Sequence, residues 1–159
     1  MSTTAGLQDL QPTADRERLK VLVIEDDDAI AKLITMIIEK SGPYSVERAN
    51  SIASADVRLQ AGGVDAALLD LELPDSSGIE TVRRICGPYP ELPVVILTSH
   101  DEGGIAQQAL REGAEDFVSK GTSIAIMLDR ALRYSLERKR VSRELERQKT
   151  LFESVFRDV

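Results

Sequence analysis

This 159-residue chain has one cysteine, one histidine and no tryptophan, and aromatic residues make up only 4% of it. A lone Cys86 can close no internal disulfide, which excludes a scaffold stapled by its own cross-links. One histidine, His100, is too few for a His-based metal site, and it reads as a surface loop residue. There is no apolar N-terminal stretch of signal-peptide type, because Met1 to Arg18 is polar throughout. The longest apolar runs are strand-sized, far short of the roughly 20 residues that a membrane-spanning helix needs. Net positive charge is also missing: the formal charge is −7. From Asp129 to Val159 there are 9 Lys/Arg against 6 Asp/Glu, so the body before it holds 11 against 21. A body this acidic argues against general nucleic-acid binding, which needs cationic surface. The chain reads as cytoplasmic, with no direct nucleic-acid or membrane partner.

What is present is enough apolar residue, 42%, for one domain with a real core and a possible appendage. Residues 1–18 lack periodicity and read as a disordered leader. Short apolar runs then alternate with amphipathic stretches. Val21 to Ile24 is a buried strand, followed by a helix whose apolar face is Ile30, Leu33, Ile34, Ile37 and Ile38. Asp27 or Asp28 caps that helix, and Gly42-Pro43 ends it. Tyr44–Ala49 is a weaker strand, and Ile52, Ala55 and Leu59 mark a helix stopping at Gly62-Gly63. The third strand spans Val64–Leu69, the next helix Ser77–Ile85. The fourth strand is Val94–Leu97 and the following helix Ile105–Leu110. Asp116–Val118 is the fifth strand, and a last helix starts near Ser123 with no breaker after it. Cys86 is a packing residue on the third helix. Five strands alternating with five helices predict an α/β fold: a five-stranded parallel sheet in a three-layer sandwich. The continuous apolar runs at 21–24, 68–69 and 94–97 fit central strands, but pattern alone does not give the order.

Polar residues stand at the carboxyl ends of these strands: Glu25 and Asp26 after the first, Asp70 after the third, Thr98-Ser99 after the fourth, Ser119-Lys120 after the fifth. In a parallel sheet these ends share one edge, where ligands bind. Any one of them alone reads blandly as a solvated turn or a helix cap. Together they supply a chemistry. Crowded carboxylates favour a hard divalent cation such as Mg²⁺. A carboxylate can attack a phosphoryl group. A lysine neutralises charge on that group, and a threonine hydroxyl donates to one of its oxygens.

The motifs Val21-Leu22-Val23-Ile24-Glu25-Asp26, Leu69-Asp70-Leu71-Glu72-Leu73-Pro74 to Gly78, Leu97-Thr98-Ser99 and Gly113-Ala114 to Lys120 resemble the receiver domain of two-component response regulators over about residues 19–135. Asp26 and Asp70 lie 44 positions apart, a spacing typical of that family. The resemblance implies a flavodoxin-like receiver fold and a phosphorylation-dependent switch rather than an enzyme. It implies Asp70 as phosphoacceptor. Asp26 would bind Mg²⁺ directly and Glu25 through water, with Asp70 and the Glu72 backbone carbonyl as further ligands. Thr98 would bond the phosphoryl group and Lys120 pair with it. Phe117 falls at the family's switch aromatic, although a core strand residue is an equally simple reading. The donor would be a sensor histidine kinase or phosphotransfer protein. Gly121 stands where the family commonly has proline, often with a cis bond, so a cis bond is not expected.

Beyond Leu132 the last helix continues. Val141, Leu145, Gln148, Phe152, Val155 and Val159 recur at alternating spacings of four and three, a heptad seam that makes a homodimer through this helix an expectation, against a solvated single helix. A basic DNA-binding helix is disfavoured because acids interrupt the run. Tyr134 to Arg140 resembles linkers that join receivers to sensory or cyclic-dinucleotide output domains, and Leu151 to Phe156 looks like the opening of a PAS domain. On this reading residues 136–159 are a helical linker, possibly a coiled coil, leading to an output domain, and the chain is a piece of a longer protein. The rival enzymatic reading is a phosphatase of haloacid-dehalogenase type, since Asp26-Asp27-Asp28 contains Asp-x-Asp after the first strand. A flavodoxin-like nucleotide binder lacks its Gly-rich loop there, and a degenerate interaction scaffold would have lost its acidic set.

Overall fold

The computed structural model describes residues 18–99 and 104–157. Residues 1–17 of the expected 1–18 leader, His100 and Val159 lie outside them. The elements in chain order are β1 (Leu19–Ile24), α1 (Asp28–Ser41), β2 (Tyr44–Ala49), α2 (Ile52–Gln60), β3 (Ala66–Asp70), β4 (Glu72–Leu73), β5 (Ser76–Ser77), α3 (Ile79–Cys86), β6 (Val94–Thr98), α4 (Ile105–Arg111), β7 (Asp116–Ser119) and α5 (Ile124–Arg157). β4 and β5 form a two-residue antiparallel ladder of their own. The remaining five strands make one parallel sheet, ordered β2-β1-β3-β6-β7.

The inner strands are continuously apolar because the sheet is covered on both sides, so neither parity of side chain meets water. Alternation survives as a division between two cores. Leu22, Ile24, Ala67, Leu69, Val94 and Ile96 point to one face, which Ile52, Ala55, Leu59, Val82 and Ile85 of α2 and α3 cover. Val21, Val23, Leu68, Val95, Leu97 and Val118 point to the other, against Ile34 and Ile38 of α1 and Leu128 and Leu132 of α5. Each large side chain buried here stabilises the fold by about 1.5–3 kcal/mol before entropy is counted. The expected apolar face of α1 meets the core through Ile30, Ile34, Ile37 and Ile38, with Leu33 the exception. Ala31, Ile34 and Ile38 are buried, while Leu33 is half exposed.

Several boundaries differ from expectation by a residue or two, β6 and β7 each running one further to Thr98 and Ser119, and two differences shape the loop around Asp70. β3 extends one residue further, so Asp70 is itself a strand residue, paired with Leu97. α3 begins at Ile79 rather than Ser77, because Ser76 and Ser77 pair back on Leu73 and Glu72. Gly78 makes the turn into α3 with φ +64, a left-handed value that an L side chain rarely takes, and its N–H donates to Leu71 O at 2.9 Å.

Helix ends are tied by side chains from elsewhere in the chain. Asp27 caps α1 by accepting from Ile30 N–H at 3.0 Å. At α2, Ser51 accepts from Ser54 N–H at 3.1 Å. The Asp75 carboxylate reaches across from the β4–β5 turn to accept from Ile52 N–H at 2.9 Å and Ala53 N–H at 3.0 Å. Three otherwise orphaned amides of one helix end are satisfied in this way.

Those two bonds hold the Asp75 carboxyl below the ordinary aspartate range. Asp75→Ala therefore removes about 1 kcal/mol of stability. A group whose native value is lowered contributes fully above its unfolded value, here roughly pH 4, and loses that contribution as the pH falls through the native one. Urea unfolding of both proteins is expected to show the deficit at neutral pH and little of it under strongly acidic conditions. Burial pushes the Cys86 thiol up to about 11. Thiol reagents at pH 8 should then label the native chain only at the rate at which it opens, and fast labelling of folded protein would contradict this packing.

Candidate functional site

The strand order explains where the polar strand ends meet. From β1 the chain moves outward to β2 and then returns to β3 on the other side of β1, so the crevice beyond β1 and β3 is the topological switch point of the sheet. β1 delivers Glu25 and Asp26 to this crevice, and β3 delivers Asp70. One carboxylate oxygen from each lies within 4.8 Å of the other two.

Lys120, just past β7, holds this cluster together. Its Nζ lies 2.9 Å from Glu25 Oε2 and 3.1 Å from Asp70 Oδ2. The ammonium arrives there because Lys120 N–H donates to Thr98 O at 2.7 Å, which continues the β6–β7 ladder by one residue. The following Gly121 N–H donates to Ser119 O at 2.8 Å, and there is no cis peptide bond among the described residues. The lysine position therefore stands without a proline after it.

Glu25 is 1% exposed. Burial pushes its carboxyl above the usual range; the Lys120 bond opposes this, and the neighbouring Asp70 charge reinforces it. For Lys120, burial disfavours the charge, yet its bonds to Glu25 and Asp70 outweigh that and hold the ammonium above the ordinary lysine range. Glu72 N–H donates to Asp70 Oδ1 at 3.1 Å, which fixes the carboxylate against the loop that follows it. Asp26 is exposed at the rim.

Thr98 ends β6, and together with Asp70, Leu71, Glu72, Leu97, Ser99 and Ile105 it lines a cleft of about 90 Å³. Phe117 is not brought into the cluster. It lies on the edge strand β7, paired with Ile96, with 38% of its surface exposed, so it is not a core residue.

Arg48 was not marked by the sequence pattern, yet it organises the acidic loop. From β2 its guanidinium donates to Glu25 O at 3.1 Å, to Asp26 O at 3.0 Å and to Asp28 Oδ1 at 2.6 Å. Asp28, the second acid of the Asp-x-Asp spacing, is thereby turned to Arg48, and this pairing lowers its carboxyl value. Asp75 and Thr81 were likewise unmarked. Thr81 donates to Leu71 O at 3.2 Å and shares a 2.8 Å bond with Ser76, bracing the loop after Asp70. Only the parallel register, which sets Ile24 beside Ala49, shows that Arg48 can reach the end of β1.

As a donor set, three carboxylates with no sulfur or imidazole suit a hard oxygen-seeking cation of the Mg²⁺ kind, and this acidic triad is typical of such sites in receivers.

Among known proteins, the chain is 30% identical over 109 residues to a cyclic di-GMP phosphodiesterase of Thermotoga maritima, an alignment covering 69% of this chain and 29% of that one. The chain spans about half or less of the length of the curated relatives it matches. In three dimensions it is similar to NtrX from Brucella abortus, with a TM-score of 0.74 at 28% identity, covering 82% of this chain and 29% of that one. A receiver domain protein from Clostridium thermocellum superposes with a TM-score of 0.69 at 29% identity, over 77% of this chain and 98% of that one. The model of the response regulator receiver domain matches residues 21–131. With this match laid over a 2-1-3-6-7 sheet and an acidic switch-point crevice, the chain belongs to the response regulator receiver domain family.

Proposed function

We propose that Asp70 accepts a phosphoryl group from the phosphohistidine of a sensor histidine kinase or phosphotransfer protein, and that the change is relayed through β6, β7 and α5. Receivers are phosphoryl-accepting switches, typically without catalysis of their own. The observation that carries the assignment to Asp70 is its place: a buried strand-end carboxylate at the switch point, 3.1 Å from an ammonium and beside a small cleft.

In the transfer, an Asp70 carboxylate oxygen forms a bond to phosphorus while the P–N bond to the donor imidazole breaks, and the imidazole leaves with the bond's electron pair. Asp26, Asp70 and the Glu72 backbone carbonyl would hold Mg²⁺, with Glu25 assisting. When bound, that ion would neutralise charge on the phosphoryl oxygens. Lys120, paired with both Glu25 and Asp70, would meet a phosphoryl oxygen on Asp70 by moving off one carboxylate partner. The Thr98 hydroxyl lines the cleft into which such a group would project. Drawing Thr98 toward Asp70 would pull on β6, which accepts the Lys120 N–H through Thr98 O and pairs with β7. Phe117 on β7 and α5, packed over Val118 through Leu128 and Leu132, are the surfaces positioned to feel that pull.

The dehalogenase-type phosphatase has no observation in its favour, because its second acid is held by Arg48. The output is a PAS or cyclic-dinucleotide domain, or a separate partner, reached through α5. A second copy of this chain, meeting it through the heptad face of that helix, is the further partner. No described helix is long and apolar enough to cross a membrane.

Incubation with acetyl phosphate and Mg²⁺ is expected to give one hydroxylamine-labile phosphoryl group per chain, seen as a mass increase. Asp70→Asn abolishes it and Asp26→Asn slows it at least tenfold; label retained by Asp70→Asn, or multiple turnover of the donor, would contradict the assignment. Lys120→Met leaves two close carboxylates without their shared cation and is expected to cost about 3 kcal/mol in chelator-treated buffer. Millimolar Mg²⁺ should return part of that loss in a urea titration. An unchanged midpoint would mean that the lysine is not what holds the cluster.

A further inference from the structure

α5 is 34 residues long, and only its first third lies on the sheet, through Leu128, Ala131, Leu132 and Ser135. The next turns are fastened by cations. Lys139 Nζ donates to Pro90 O at 3.0 Å, Arg143 donates to Glu91 O at 3.3 Å, and Arg138 donates to Glu115 O at 3.2 Å. Glu115 also forms ion pairs with Arg138 and Lys139, both at 3.5 Å. These acceptors lie in the segments that lead into β6 and β7, so the helix is fixed to the end of the sheet opposite the acidic crevice.

Beyond this fastening, Val141, Leu145, Leu151, Phe152, Val155 and Phe156 are each about half or more exposed. In heptad terms Val141, Gln148 and Val155 take d, and Leu145 and Phe152 take a. Arg143 then falls at f, on the far side of the helix from this seam. The contact with the sheet therefore leaves the seam clear. The preceding a position is Arg138, which is engaged by Glu115, so the seam opens at Val141.

Two exposed residues, Leu151 and Phe156, fall outside a and d, and their positions identify the occupant. Leu151 is at g and Phe156 at the following e. The preceding pair at the same positions is Glu144 at g and Lys149 at e. In a parallel, in-register pair of identical helices, each g residue meets the following e residue of its partner. Glu144 then faces a lysine and Leu151 faces a phenylalanine, each twice by symmetry. The same alignment puts Gln148 opposite its own copy, where two side-chain amides can bond to each other. An antiparallel pair would set d against a and place Gln148 against Leu or Phe, leaving its amide only the bond it donates to Glu144 Oε1 of its own helix at 3.3 Å.

We propose that the α5 seam from Val141 to Phe156 packs against α5 of a second copy as a parallel, in-register two-stranded coiled coil, with Glu144–Lys149 and Leu151–Phe156 as the crossing pairs. This rests on the homodimer reading above and fixes its orientation and register. Both receivers then lie at the same end of the coil, each held to it by Lys139 and Arg143.

The test uses the full chain carrying Cys86→Ala, with single cysteines introduced at Gln148→Cys in the seam and Arg147→Cys beside it. Mild oxidation is expected to link Gln148→Cys into a dimer at least tenfold faster than Arg147→Cys. By sedimentation, Lys149→Glu should weaken the dimer roughly fivefold, from two lost exposed pairs and like-charge contact. Glu144→Lys combined with Lys149→Glu should restore it. A chain that stays monomeric at all concentrations overturns this proposal and the homodimer reading together. A dimer that links no faster at 148 than at 147, or that ignores the charge swap, overturns the register alone. Labelling of Asp70 by acetyl phosphate is unaffected in either case, so the phosphoacceptor reading is judged separately.

Discussion

Crowded negative charge at the switch point between β1 and β3 is the constraint around which this molecule is arranged. Glu25 and Asp70 sit at the ends of adjacent parallel strands, largely out of water, where two carboxylates repel strongly. One ammonium placed between them, from a strand two positions along the sheet, makes the arrangement tolerable. The surroundings serve the same end. Arg48 gathers the backbone carbonyls of Glu25 and Asp26, and Glu72 N–H restrains the Asp70 carboxylate. The neutralising partner is shared rather than dedicated, so under the proposed function a change of charge on Asp70 would redistribute it.

That response has a route through the fold. Lys120 follows β7, and its backbone is bonded to the Thr98 carbonyl at the end of β6. Redistributing Lys120 between its partners and drawing on Thr98 therefore act on the same two strands. α5 covers those strands on one face and is fastened at their opposite ends through Glu115, Pro90 and Glu91. The helix is thus packed along β6 and β7 and tied at their ends away from the crevice, so in the proposed relay a small shift in either strand would act on α5.

Much of this was legible in the residues. Continuous apolar runs bounded by polar strand ends identified the inner strands, because burial on both faces leaves no room for alternation. Glu25, Asp26, Asp70, Thr98 and Lys120 could be grouped because strands with a common direction put their ends on a common edge. Contacts that depend on which strands are neighbours were not legible. Arg48 reads as an ordinary strand charge until Ile24 is known to lie beside Ala49. Asp75 reads as a turn residue until the β4–β5 ladder aims it at the start of α2. Periodicity places Leu33 on the core face of α1, yet it is half exposed, while Ile34 and Ile38 are buried and Ile30 and Ile37 pack beside them.

On the proposed function, the carboxylates at the switch point act as one metal-dependent phosphoryl-accepting site. Amide chemical shifts of the full chain, followed by NMR on adding Mg²⁺ and then beryllofluoride as a phosphoryl mimic, test it most directly. Mg²⁺ alone is expected to move resonances around Asp26 and Asp70. Beryllofluoride should then extend the change to Thr98, Lys120 and Phe117. Resonances that stay fixed in both steps, or that move only along the far end of α5, would contradict it.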